Sequence, residues 1–251
     1  MSATFQYHAI KPETELAAFV ESIGMFGNFS STEKELVVLP DGRIDLFFMF
    51  TAEGGFQVLL MGLETSSEMR LVPAGMYAYA VSFTPLGLEY ILDIPIADIL
   101  NSAKVLPAGF WDNKPEWFEN LETFNSHATQ KIRSLLRSKV DERKRKLFEL
   151  IYASQGELSV NEIADQIGWS SRQINRYFNA QFGLPLKAYC DILRFRKSLE
   201  HIAVGKLFPE LDFTDQSHFI REIKKYAGAL PKELSKNKND RFILLSVLKQ
   251  R

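Results

Sequence analysis

The chain has 251 residues, of which 46% are hydrophobic, and a formal net charge of −1. Such a chain can build one large domain or two ordinary ones with real cores, which excludes a disordered polymer. Its apolar runs, such as residues 44–50, are too short to span a bilayer, the N-terminus lacks the basic-then-apolar pattern of a secretory signal, and a single cysteine, Cys190, leaves no internal disulfide. A cytoplasmic protein with no membrane partner is expected.

The near-zero net charge hides an asymmetry. Residues 1–140 carry 10 Lys and Arg against 17 Asp and Glu, a net of −7, while residues 141–251 carry 20 against 14, a net of +6. An acidic half joined to a basic half points to two domains with different partners, and the basic half is where a polyanion would bind.

In chain order, residues 13–23 read as helical. Asp41-Gly42 marks a turn. Residues 44–51 and 56–63 are apolar runs around Glu53-Gly54-Gly55, which is the pattern of a hairpin. Residues 76–83 alternate, with Tyr77, Tyr79, Val81 and Phe83 on one side and Ala78, Ala80 and Ser82 on the other, as in a half-buried strand. A helix opening at Pro95 should run to Ala103. Residues 106–125, rich in aromatics, read as an ordered connector. Helical periodicity follows over 126–154 and includes DERKRK at 141–146, read as a solvated face.

Beyond Gly156 every signal is helical. Ser159-Val160-Asn161-Glu162 is a capping box ahead of Ile163, Ala164 and Ile167; Gly168-Trp169 ends that helix; Ser170-Ser171-Arg172-Gln173 is a second box. Two helices across a tight glycine turn outline a helix-turn-helix. The second helix turns Ile174, Phe178 and Phe182 inward and leaves Arg172, Gln173, Asn175, Arg176 and Asn179 outward. Pro185 opens a further helix with a stripe of Leu186, Tyr189, Leu193 and Leu199.

This unit recurs. At an offset of 45 positions, Ile174 matches Phe219, Arg176 matches Arg221, Phe178 matches Ile223 and Gly183 matches Gly228. Trp169 matches Phe213 with one extra residue, and Ile163 and Ile167 match Leu207 and Leu211. The stretch with Gln216, Ser217, His218, Arg221, Lys224 and Lys225 is then the second of two recognition faces. A helix fits the major groove, where Arg can bond guanine and Asn or Gln can bond adenine. Helix N-termini and nearby Lys or Arg can hold phosphates.

The residues Phe213-Thr214-Asp215-Gln216-Ser217-His218-Phe219, Arg221, Lys224-Lys225 and Gly228-Ala229-Leu230-Pro231 also resemble the C-terminal signature of AraC/XylS-type bacterial transcription regulators. Ile163-Ala164, Gly168-Trp169-Ser170, Arg176, Phe178 and Gly183 resemble that family's first helix-turn-helix. The resemblance covers about residues 145–234. It implies two units about one DNA turn apart, with base-reading candidates Arg172, Asn175 and Arg176, then Gln216, Ser217, His218 and Arg221. Phosphate-contact candidates are Ser170, Lys224 and Lys225. The N-terminal half is similar, through residues 39–46 (LPDGRIDL) and 81–87 (VSFTPLG), to a domain attached to a subset of such regulators, which senses a ligand, dimerises or both. The second unit departs from the pattern: its first helix shrinks to about residues 207–211 and contains Pro209, and Asp212 replaces a glycine.

The expected fold is therefore α+β: a β-rich N-terminal regulatory domain over residues 1–125, then an all-α domain over 126–251 with helix-turn-helix units at about 157–183 and 206–230 and an apolar tail that packs on its own chain or on another. The expected function is sequence-specific transcription regulation through double-stranded DNA and RNA polymerase, with a small-molecule effector and a homodimer as further partners. The sign of regulation stays open. Tyr77, Tyr79 and Phe83 are ligand-pocket candidates, with core packing as the alternative. No cofactor, metal or catalytic residue is expected: His8, His127 and His201 are scattered, Cys190 reads as a packed thiol, and no nucleophile elbow or phosphate loop occurs. Two alternatives are an interaction protein that has lost specific DNA binding and a small-molecule enzyme in the N-terminal half.

Overall fold

Aromatic and β-branched residues at alternate positions draw the first half of the chain into sheet. In the computed structural model, which describes residues 5–207 and 216–249, the strands are β1 (Phe5–Ile10), β2 (Val20–Asn28), β3 (Lys34–Val38), β4 (Ile44–Phe50), β5 (Phe56–Met61), β6 (Glu68–Val72), β7 (Tyr77–Phe83) and β8 (Ala103–Leu106). Six form an antiparallel sheet in the order β1-β2-β7-β4-β5-β8, and β3 pairs with β6. The expected hairpin is β4–β5, in register from Leu46 opposite Leu60 to Phe50 opposite Phe56.

The helices are the three-residue α1 (Pro85–Gly87), α2 (Leu121–Leu135), α3 (Glu142–Ala153), α4 (Val160–Ile167), α5 (Ser171–Phe182), α6 (Leu186–Ala203), α7 (Gln216–Ala227), α8 (Pro231–Lys236) and α9 (Ile243–Lys249). A β-rich N-terminal region followed by a helical C-terminal region is the expected fold class.

Three local readings are corrected. Residues 13–23 form one 3-10 turn at Thr14–Leu16 and then enter β2. Strand pairing on both sides overrides the helical spacing there. Gly24 fits that strand because a Cβ would lie 2.7 Å from the His8 carbonyl oxygen. The helix expected from Pro95 is a 3-10 turn at Ala97–Ile99, after which Asn101 takes φ 56° and the chain adds β8 to the sheet edge. The helical run over 126–154 is two helices, because the chain extends at Leu136 and Asp141 caps a new start. Strand β7 does alternate, but six of its seven residues are buried, since it is an inner strand of the sheet.

The chain divides into two compact units. The first comprises Met1–Lys34, Arg43–Gly62 and Leu71–Val140; the second comprises Glu35–Gly42, Leu63–Arg70 and Asp141–Arg251. In the first, α2 buries Phe124, Ala128 and Ile132. Phe124 meets Tyr79 at 4.9 Å and Phe48 at 5.6 Å between ring centroids. The connector is ordered by the same cluster: Phe118 lies 5.0 Å from Phe50, and its carbonyl accepts a 3.0 Å bond from the Tyr79 hydroxyl.

The second unit takes two segments from the first half of the sequence. Leu36, Leu39 and Leu63 are buried there. The fully buried Tyr189 of α6 donates its hydroxyl to the Gly42 carbonyl at 3.0 Å and lies 2.9 Å from the Tyr152 hydroxyl of α3. Because the Tyr189 proton goes to Gly42, Tyr152 must donate to Tyr189. Gly42 has φ 76°, and a Cβ there would sit 3.0 Å from Leu193 Cδ2. The Val37 amide donates to the Arg241 carbonyl at 2.6 Å, and the Ser67 amide to the Tyr226 carbonyl at 2.8 Å. The apolar tail packs on its own chain, with Phe242 and Leu245 buried.

Removing one partner of a buried hydrogen bond costs about 1–3 kcal/mol, so Tyr189→Phe should lower the unfolding free energy by that amount in urea titration. Gly42→Ala should do at least as much, because the left-handed backbone alone costs a Cβ-bearing residue about 1–2 kcal/mol. Wild-type stability in both variants would contradict the tie.

Candidate nucleic-acid interface

The first helix-turn-helix is α4–α5. Both capping boxes close. The Ser159 amide donates to Glu162 Oε2 at 2.8 Å and Ser159 Oγ accepts from the Glu162 amide at 3.3 Å. The hydrogen bond with Ser159 holds the Glu162 carboxyl below its ordinary pKa. The Ser170 amide donates to Gln173 Oε1 at 2.8 Å and Ser170 Oγ accepts from the Gln173 amide at 3.2 Å. Between the helices Gly168 takes φ 70°, which few side chains tolerate.

On α5, Ile174, Phe178 and Phe182 are buried, while Arg172, Gln173, Arg176 and Asn179 are exposed. Asn175 stands apart from the other base-reading candidates. It is half-buried, and its Oδ1 accepts the Leu186 amide at 3.2 Å. Pro185 gives α6 no side-chain cap, so Asn175 caps that helix from the neighbouring one. The Ser170 hydroxyl also bonds Gln173 Oε1 at 3.0 Å, which commits it to the capping box.

On α7, Phe219, Ile223, Tyr226 and Ala227 are buried. Gln216, Ser217, Arg221, Lys224 and Lys225 are exposed and His218 is half-buried. Lys225 Nζ lies 3.3 Å from the Tyr226 hydroxyl and 3.6 Å from Glu222. The short helix expected at about 207–211, with Pro209, Leu211, Asp212 and Phe213, falls within or against residues 208–215, which lie outside the described residues. Helix α6, 18 residues long, lies between the two units in the chain.

The charge cluster at 141–146 does more than meet solvent. The Arg143 guanidinium lies 5.4 Å from the Trp169 ring centroid, and Lys144 Nζ lies 4.7 Å from that of Tyr177. Sequence spacing carries no signal for this, because the partners are 26 and 33 positions away.

Cys190 is buried in α6, and desolvation pushes its thiol up to about 12, so it stays protonated. Tyr77, Tyr79 and Phe83 lie within the aromatic packing: Tyr77 stacks on Phe50 at 4.8 Å, and Phe83 meets Trp111 edge-on at 6.1 Å. Tyr79 and Phe83 are buried and Tyr77 is half-buried. Among the described residues no group of three or more His, Cys, Asp and Glu could hold a metal, and no helix is long and apolar enough to cross a membrane.

The capping role of Asn175 gives a test. Losing a helix cap costs about 0.5–2 kcal/mol, so Asn175→Ala should lower stability by that amount in urea unfolding and leave base preference in a duplex library unchanged. Unchanged stability with a relaxed base position would assign Asn175 to reading instead.

Residues 163–237 match a family described as a helix-turn-helix domain, and residues 8–104 match a domain of unknown function, DUF6597. No match is found among curated proteins. Solved structures similar to this chain include ToxT from Vibrio cholerae O395, at 8% identity and a TM-score of 0.44, covering 93% of this chain and 97% of that one. ToxT bound to (E)-4-(8-methylnaphthalen-1-yl)but-3-enoic acid gives 10% identity and 0.45, covering 97% and 100%. Unsaturated fatty acid-bound ToxT from Vibrio cholerae strain SCE256 gives 10% and 0.42, covering 92% and 91%. The chain thus carries a C-terminal helix-turn-helix domain behind a β-rich N-terminal region.

Proposed function

We propose that the protein is a sequence-specific transcription regulator that reads two successive major grooves of duplex DNA with α5 and α7. The observation that carries this reading is the equivalence of two exposed faces. Arg176 and Arg221 stand 45 positions apart, each exposed, on helices of 12 residues each whose buried residues also correspond, Ile174 to Phe219 and Phe178 to Ile223. The 18-residue α6 between them is a rod of about 27 Å at helical rise, close to the ~34 Å of one DNA turn.

The roles divide by chemistry. Arg172 and Arg176 on α5, and Arg221 on α7, suit bidentate bonding to guanine. Gln216, Ser217 and His218, at the start of α7, suit base edges, which recognition helices meet near their N-termini. Lys224 and Lys225, in the last turn of α7, suit phosphate.

The first unit is the regulatory part, responding to a small molecule or setting the oligomeric state. One observation favours an effector that carries a hydrogen-bond acceptor. Trp111 is buried between Phe48 and Phe83, and its Nε1 donor has no hydrogen-bond partner among the described residues. A buried unsatisfied donor costs about 1–3 kcal/mol and in a native protein calls for an explanation.

Selection from a random duplex library by the full chain at physiological salt tests the reading. It should enrich two short blocks about one helical turn apart. Arg172→Ala should relax a position in one block and Arg221→Ala a position in the other, each by roughly 1–3 kcal/mol of discrimination. A single block would leave α7 as a backbone contact only. No enrichment would favour an interaction protein.

A further inference from the structure

The first turns of α3 concentrate charge: Arg143, Lys144, Arg145 and Lys146 follow Asp141 and Glu142. Two of these cations are fixed rather than spread. Arg143 lies 5.4 Å from the centroid of Trp169, and Lys144 lies 4.7 Å from that of Tyr177. The two rings meet edge-on at 5.7 Å and form one aromatic platform.

The platform belongs to the recognition helix. Trp169 immediately precedes Ser170, the N-cap of α5, and Tyr177 follows Arg176 on α5 itself. The cations are therefore held along one flank of the helix whose outer face bears Arg172 and Arg176. A ring face orients a cation through its quadrupole and leaves the charge whole. Arg143 also makes a two-pronged bond to Asp141, from Nε at 3.3 Å and Nη2 at 3.1 Å, but its side chain is 57% exposed, so a phosphate can compete with that carboxylate for the guanidinium.

Groove geometry says what such a flank meets. A helix with side chains is about 10–12 Å across, and the major groove is about 12 Å wide. A helix seated there has a phosphate strand along each side. Cations held beside it meet phosphate oxygens, not base edges.

We propose that Arg143 and Lys144, braced on Trp169 and Tyr177, form a phosphate-binding clamp that holds the DNA backbone beside α5 and fixes the register of that helix in the groove. The clamp rests on the DNA-binding reading above. Arg143 supplies a planar fork that suits a phosphate, and Lys144 supplies a compact point charge. The site carries affinity without sequence information.

The test is a salt titration of binding by the full chain, with one duplex carrying the blocks enriched in the selection and one of unrelated sequence. Arg143→Gln and Lys144→Gln should each weaken both duplexes by the same factor. Each should also flatten the slope of log affinity against log salt by about one unit. The enriched sequence should stay the same, and Lys144→Arg should restore the slope. Thermal unfolding of each variant separates this from a loss of fold, since a merely structural cation would lower the melting temperature and leave the slope intact. An unchanged slope, or a loss confined to the preferred duplex, overturns the clamp while leaving the DNA-binding reading standing. Absence of binding to either duplex by the unaltered chain overturns both.

Discussion

The bond from the Tyr189 hydroxyl to the Gly42 carbonyl is the constraint on which the DNA-binding unit depends. Tyr189 is fully buried in α6, which lies between α5 and α7 in the chain. Gly42 belongs to a turn 147 positions earlier. A buried carbonyl at a left-handed turn must find a donor, and a Cβ at Gly42 would crowd Leu193 at 3.0 Å and Tyr189 at 3.3 Å on a backbone that L side chains rarely adopt. The Tyr152 hydroxyl continues the chain of bonds to α3. Together with the Ser67 amide on the Tyr226 carbonyl and the Val37 amide on the Arg241 carbonyl, it makes the second unit a composite of three stretches of sequence.

Polar residues in this unit divide between holding the fold and facing outward. Ser159, Glu162, Ser170 and Gln173 spend their hydrogen bonds on capping boxes, and Asn175 caps α6 from α5. Arg172, Arg176 and Asn179 stay exposed. The family resemblance makes Arg172, Asn175 and Arg176 equal candidates for reading, whereas geometry sets Asn175 apart. The aromatic residues divide in the same way. Phe178 and Phe182 fill the core, while Trp169 and Tyr177 present faces to the cations of α3.

Much of this was legible from the residues because it is local. Capping boxes, the glycine turn and the 45-position repeat each act within a few residues, and α4, α5, α6 and α7 follow from them. The β4–β5 hairpin was legible for the same reason. What escaped was tertiary. Residues 20–28 become β2 only because β1 and β7 lie on either side. Residues 95–103 lose their helix to the sheet edge. The LPDG stretch at 39–42 could be quoted as a recurring segment, yet nothing in its spacing says that it packs on Tyr189. The Asn175 amide and the Arg143–Trp169 contact are likewise fixed by partners distant in sequence, and a single chain read alone carries no record of them.

A composite DNA-binding unit has a direct consequence for residues 141–251 made alone. Without residues 35–42 and 63–70 the fragment loses Leu36, Leu39 and Leu63 from its core and leaves the Tyr189 hydroxyl without its acceptor. The most direct measurement is denaturant unfolding of that fragment beside the full chain, followed by its affinity for the selected duplex. The fragment should lack a cooperative transition and should lose most of the specific affinity. A fragment that unfolds cooperatively and binds as tightly as the full chain would show that the helix-turn-helix pair needs nothing from the first half of the sequence.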